Sequence, residues 1–237
     1  MAETSGTTTF DLNLNEIVEE AFERCGAELR TGYDLRTARR SLNLLTMEWA
    51  NRGINLWTIQ EGTIPLVAGQ AEYGMPVDTI DILDHVVRTQ TGQGQTDINI
   101  SRISVDTYAT IPNKNAQGRP IQLWFQRLSG QDAGGGTVQY PTITVWPVPE
   151  QSDYYTLVVW RLRRIQDAGS GVNVQDIPFR FLPCMVAGLA YHLSMKLPGA
   201  LERSGALKAQ YEELWQQAAD EDREKAPLRI APRQMFM

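Results

Sequence analysis

Apolar residues recur at spacings of three and four near both ends of the chain and at spacings of two between them, which predicts helices flanking a strand-rich middle. Leu14, Ile17, Ala21, Phe22, Cys25 and Leu29 share one helical face, with Asn13 or Asn15 as N-cap and Glu16, Glu19 and Glu20 favourable near the positive end. The break Thr31-Gly32-Tyr33-Asp34 allows an antiparallel return into a second helix, Leu35 to Asn51, whose Leu35, Ala38, Leu42, Leu45 and Trp49 must be covered. Gly53 suits a left-handed stop, and Arg52 places positive charge at the last carbonyls.

Beyond that stop, Ile54, Leu56, Trp57, Ile59, Thr63, Ile64, Leu66 and Val67 predict one or two short strands, with Glu61 and Gly62 as a polar break. Ala68 to Pro76 reads as a turn. A strand follows through Ile80, Ile82, Val86 and Val87, then a polar loop from Thr89 to Asp97 and a short helix or turn within Ser104 to Ile111. Ile121 to Leu128, Thr142 to Trp146 and Tyr154 to Ile165 predict an antiparallel meander, with turns at Gly130 to Gly136 and Pro147 to Asp153.

Asp176 with Pro178 starts a third long helix. Phe181, Leu182, Met185, Val186, Leu189, Leu193 and Leu197 form a wide apolar face, and Ala187, Tyr191 and Met195 make the helix apolar nearly all round, as suits the centre of a bundle; Pro198 and Gly199 end it. The last helix, Leu201 to Glu224, turns Leu207, Tyr211, Leu214, Trp215 and Ala218 inward and is expected to pack antiparallel on its predecessor. Pro227 and Pro232 oppose helix in the remainder, predicting an extended, basic and apolar tail. The expected fold is α+β: an antiparallel helical bundle from residues 1–67 and 176–224, an inserted antiparallel β-domain over 68–175, and an extended C-terminal tail over 225–237.

The 237 residues, 42% hydrophobic, suffice for an ordinary buried core. With 28 carboxylates against 22 Lys and Arg, and no dense basic run, affinity for free nucleic acid is not expected. Met1 to Thr9 is polar and Thr-rich, unlike a signal peptide, and no segment stays apolar for about 18 residues, so no membrane association is expected. Cys25 and Cys184 each lie in an apolar helical pattern and read as buried thiols in a reducing compartment.

Candidate chemistry is sparse. Asp78, Asp81 and Asp84 are spaced by three and lack the glycine and terminal glutamate of a calcium loop, so a solvated turn is expected and no metal. Gly134-Gly135-Gly136 lacks a following Lys-Ser or Lys-Thr and precedes a strand, so it reads as a hairpin tip. Cys184 and His192, eight residues apart on one helix, would be about 12 Å apart along its axis, too far for a nucleophile and its base. Neither enzymatic activity nor a cofactor is expected.

Two blocks carry a family resemblance. Ala38-Arg39-Arg40, Leu42-Asn43, Arg52-Gly53, Trp57 and Glu61-Gly62 resemble tail tubular protein A, the head-to-tail adaptor family of short-tailed phages. Ile177-Pro178, Phe179-Arg180, Ala190, Pro198-Gly199-Ala200 and the acidic helix Gln210 to Arg223 are similar to that family's C-terminal helical pair. The blocks cover roughly a third of the chain. The resemblance implies a structural protein of the virion tail, made in the host cytoplasm, that forms a twelve-fold ring below the portal protein. The ring would hold a tail tubular protein B-like nozzle, with a tail fibre or tailspike as a further candidate partner. Double-stranded DNA would pass through its channel without sequence-specific binding, and a net charge of -6 suits such a wall.

A ring needs two different complementary patches on each subunit. Arg161, Arg163 and Arg164 on the last strand, with Gln93 and Gln95 in the polar loop, are the candidates for lateral or nozzle contacts. Arg229, Ile230, Arg233, Met235 and Phe236 are the candidate portal-docking tail. A different class of reading, a carbohydrate- or ligand-binding module, rests on six tryptophans and the pair Trp124 and Phe125. Against it, Trp124, Trp146 and Trp160 lie in strand patterns that already need core residues.

Overall fold

A computed structural model describes residues 4–53, 56–90, 92–128 and 140–222. Among these lie five α-helices: α1 (Leu14–Cys25), α2 (Gly32–Asn51), α3 (Val105–Ala109), α4 (Leu182–Ser194) and α5 (Ser204–Glu221). The described strands are β1 (Ile59–Pro65), β2 (Glu72–Gly74), β3 (Thr79–Thr89), β4 (Thr96–Asn99), β5 (Ser101–Arg102), β6 (Gln122–Gln126), β7 (Thr142–Trp146) and β8 (Tyr155–Arg163). The protein is mixed α+β and divides into two compact units, one from residues 1–57 and 165–237 and the other from residues 58–164.

In the first unit, α1 begins at a capping box: the Asn13 side chain accepts from the Glu16 N–H at 3.1 Å, and the Glu16 carboxylate accepts from the Asn13 N–H at 2.8 Å. A second capping box, Thr31 with Asp34, starts α2 at Gly32, three residues earlier than the apolar period suggested. Gly53, at φ 77°, follows the last turn as expected. Ala38, Leu42, Leu45 and Trp49 are fully buried, and α1, α2, α4 and α5 contribute to one core.

Both C-terminal helices are shorter than their patterns implied. A 3-10 turn, Phe179–Phe181, precedes α4, which stops at Ser194 rather than at Pro198. Helix α5 stops at Glu221 because Asp222 turns inward, 6% exposed, and its carboxylate pairs with Arg180. Pairing is what makes such burial tolerable.

The tightest approach in this core is at Gly188 of α4. A Cβ there would lie 2.8 Å from Tyr211 Cε2 and 3.0 Å from both Leu45 methyls. Tyr211 cannot swing away cheaply, since its hydroxyl accepts from Trp49 Nε1 at 2.9 Å.

The second unit holds two four-stranded sheets, ordered β1-β8-β3-β4 and β2-β7-β6-β5. All pairings are antiparallel except the short parallel contact of β5 with β6. Val87, Leu157 and Val159 of one sheet and Leu123 and Ile143 of the other share a buried cluster, which Leu66 joins just beyond β1.

Several expectations are corrected here. Glu61 and Gly62 do not break β1, which pairs without interruption along β8 from Ile59↔Leu162 to Pro65↔Thr156. The turn at Ala68 to Pro76 contains β2, and the polar loop Thr89 to Asp97 runs into β4; both are short strands at a sheet edge whose residues carry little apolar signal. Strands β6, β7 and β8 are not a meander: β6 and β7 pair, but β8 lies between β1 and β3 in the other sheet. Pro147 and Pro149, which have no N–H to donate, end β7 before the chain crosses to the other sheet at β8. The glycine run at 134–136 lies outside the described residues.

Two substitutions test the packing at Gly188. Gly188→Ala gains about 1 kcal/mol of helix propensity but overpacks a site where such changes cost about 1–3 kcal/mol. A net loss of about 1 kcal/mol in denaturant unfolding is expected. Gly205→Ala, with open space around its Cβ, should instead stabilise by about 0.5 kcal/mol.

Candidate interaction surfaces

Cys184 is buried in α4, and burial pushes its thiol up to about 12 against partial relief from Arg52. Cys25 donates to the Ala190 carbonyl at 3.2 Å. Nε2 of His192 lies 3.3 Å from Glu48 Oε2, without hydrogen-bond geometry, and hydrogen-bonds to neither thiol. These are inert core thiols rather than nucleophiles.

Of the three aspartates only Asp78 lies in a turn; Asp81 and Asp84 lie within β3. Asp78 precedes β3 and accepts from Arg161 Nη1 at 2.6 Å. Asp81 and Asp84 sit where β3 bulges against β8, each accepting the following backbone N–H at 2.8 Å. Asp81 also pairs with Arg102 at 2.8 Å and with Arg127. Among the described residues no three metal-ligating side chains converge.

Of the proposed lateral contacts, Arg161 is corrected. It shares the face of Leu157 and Val159, is 9% exposed, and donates to Asp78, Thr79 and Gln60 within its own unit. Its charge is spent internally. Arg163 donates to the Arg164 carbonyl at 3.2 Å, Arg164 and Gln95 are exposed, and Gln93 lies in a 3-10 turn, Gly92–Gly94. Arg229, Ile230, Arg233, Met235 and Phe236 lie outside the described residues.

The strand tryptophans are also corrected. Trp124, Trp146 and Trp160 are half-buried, because strand alternation sends Leu123, Phe125, Val145 and Val159 into the core and the indoles to the opposite face. They offer no open stacking platform at Trp124, which Tyr108 covers at a ring separation of 5.0 Å, or a free indole N–H at Trp146, which donates to the Asn113 carbonyl.

Two surfaces of the helical unit went unread in the sequence. The first is a groove of about 1020 Å³ with an apolar floor that includes Leu12, Leu182 and Val186. Phe10 and Phe179 line it while remaining 78% and 77% exposed. Along it runs an acidic stripe of α1: Glu16, Glu19, Glu20 and Glu23, at spacings of three and four. Glu20 is engaged by Arg24 at 2.9 Å, and Glu16 by the cap. Glu16, Glu19 and Glu20 read from the sequence only as partners of the helix dipole; Leu182 and Val186 of the apolar floor lie some 160 residues later in the chain.

The second is the outer face of α2. Tyr33, Arg36, Arg40, Leu44 and Met47 follow one another at spacings of three and four, all exposed, opposite the buried Ala38, Leu42, Leu45 and Trp49. Neither Arg36 nor Arg40 has an ion-pair partner among the described residues.

A family model described as SU10 adaptor protein matches residues 12–231, which takes in both compact units. None of the curated proteins matches the chain.

The Asp81 cluster sets a pH dependence. Burial works against its charge, but the Ile82 N–H and the Arg102 and Arg127 guanidiniums outweigh burial and hold the carboxyl below the usual range. A depressed folded-state pKa contributes stability that is complete above the unfolded value near about 4 and is lost as pH falls through the folded value. Denaturant midpoints measured across that acid range should therefore fall less steeply in Asp81→Asn than in the wild type, from a lower value at neutral pH.

Proposed function

The chain belongs to the SU10 adaptor protein family, a phage head-to-tail adaptor family, and on that membership we propose that it assembles as a ring between portal and nozzle and surrounds the DNA ejection channel. The family is one of structural virion-tail proteins, not of enzymes. The observation that carries the reading is the length of the match, residues 12–231, which spans helices and strands alike rather than one motif.

In this reading the helices act as an antiparallel bundle that builds the ring wall, the inserted strands face the nozzle or a tail fibre or tailspike, and the segment 225–237 reaches the portal. Arg163, Arg164, Gln93 and Gln95 serve lateral or nozzle contacts. The ring holds twelve copies, the number that the resemblance to tail tubular protein A implies. A net charge of -6 per chain supports a channel along which DNA slides, because like charges forgo the counterion release that makes nucleic acid adhere. Assembly would take place in the host cytoplasm.

The tail alternates cations with apolar residues, the chemistry of a peptide that docks in an acid-edged groove. Co-sedimentation with the portal of the same phage tests it. Arg229→Glu with Arg233→Glu should weaken portal binding by about tenfold or more, as reversal of contact charges does, and truncation after Glu224 should abolish it. Unchanged binding in both variants would remove the tail from the mechanism.

A further inference from the structure

The acidic groove and the basic outer face of α2 lie on the same compact unit, and each has what the other lacks. The groove presents apolar floor and carboxylates; the α2 face presents Tyr33, Leu44 and Met47 with two guanidiniums. Their spacing also corresponds. Glu19 and Glu23 are four residues apart on α1, and Arg36 and Arg40 are four apart on α2. Each pair therefore spans about 6 Å along its helix.

We infer that the outer face of α2 of one copy seats in the acidic groove of the next. The apolar side chains meet the floor formed by Leu182 and Val186 between Phe10 and Phe179, and Arg36 and Arg40 meet Glu19 and Glu23. The two faces are different, so the contact can repeat head to tail from copy to copy, as a closed ring requires. Burial of exposed aromatic and aliphatic groups supplies the affinity, and the matched charges fix the register. This inference rests on the ring assembly proposed above and names the faces that make it.

Sedimentation velocity of the full chain, alone and mixed with the portal protein of its phage, tests the contact with charge exchange. Glu19→Arg with Glu23→Arg, and separately Arg36→Glu with Arg40→Glu, should each weaken association of copies by about tenfold or more, and all four together should restore most of the loss. All these positions are exposed, and circular dichroism should show each variant folded. Association indifferent to both exchanges overturns this contact and leaves the ring standing. Sensitivity to the groove exchange alone also overturns it, since the groove then takes another occupant, such as the segment 225–237. A wild type with no species beyond a monomer, free or portal-bound, overturns the ring reading itself.

Discussion

The helical unit depends on a buried polar contact at the centre of an aromatic cluster. Nε1 of Trp49 donates to the Tyr211 hydroxyl at 2.9 Å, and that hydroxyl donates to Glu48 Oε1 at 3.2 Å. Arg52 closes the cluster from outside, bonded to Glu48 and Glu212 and lying over the rings of Tyr211 and Trp215. Trp49 packs on Phe181 and Trp215, and Phe181 on Trp57, at ring separations between 4.9 and 5.5 Å. Buried indole and phenol groups are tolerable only when their polar atoms are satisfied. The Trp49 indole and the Tyr211 phenol are satisfied by residues drawn from α2 and α5, which are some 160 residues apart in the chain. The cluster therefore joins the N-terminal and C-terminal segments into one body.

What the sequence could reveal follows from how local each determinant is. The faces of α1 and α2 were legible because Leu42, Leu45 and Trp49 repeat with the helical period, and β7 because Thr142 to Trp146 is an uninterrupted apolar and β-branched run. Helix ends were less legible, since Thr31 with Asp34 at one end and Asp222 with Arg180 at another act through single polar contacts that periodicity does not register. Strands β2 and β4 escaped because edge strands can be polar, and the partners of β8 because pairing is settled by distant residues. The burial of Arg161 was hidden for the same reason: Asp78 and Gln60, which hold it, are 83 and 101 residues away.

The interaction surfaces were half legible. Four glutamates at helical spacing on α1, and two arginines among Tyr33, Leu44 and Met47 on α2, stand in the sequence. Their meaning depends on which faces the core covers. Once Ala38, Leu42 and Trp49 are buried, Leu44 and Met47 must face outward, and once α4 brings Leu182 and Val186 beside α1, the glutamates border an apolar groove. Exposed apolar groups bordered by charge are costly to leave in water and are characteristic of surfaces that another molecule covers. A structural adaptor in which Cys184 is buried and Asp81 is held in ion pairs, while the α1 glutamates stay at the surface, fits that distribution.

The central claim, that this chain is the ring joining head to tail, is tested most directly by electron cryomicroscopy of the virion's neck. The account predicts density for this chain as a closed ring directly beneath the portal, with the helical unit traceable in every copy around an open channel. Density for the chain elsewhere in the particle, or single copies scattered without ring contacts, would contradict it.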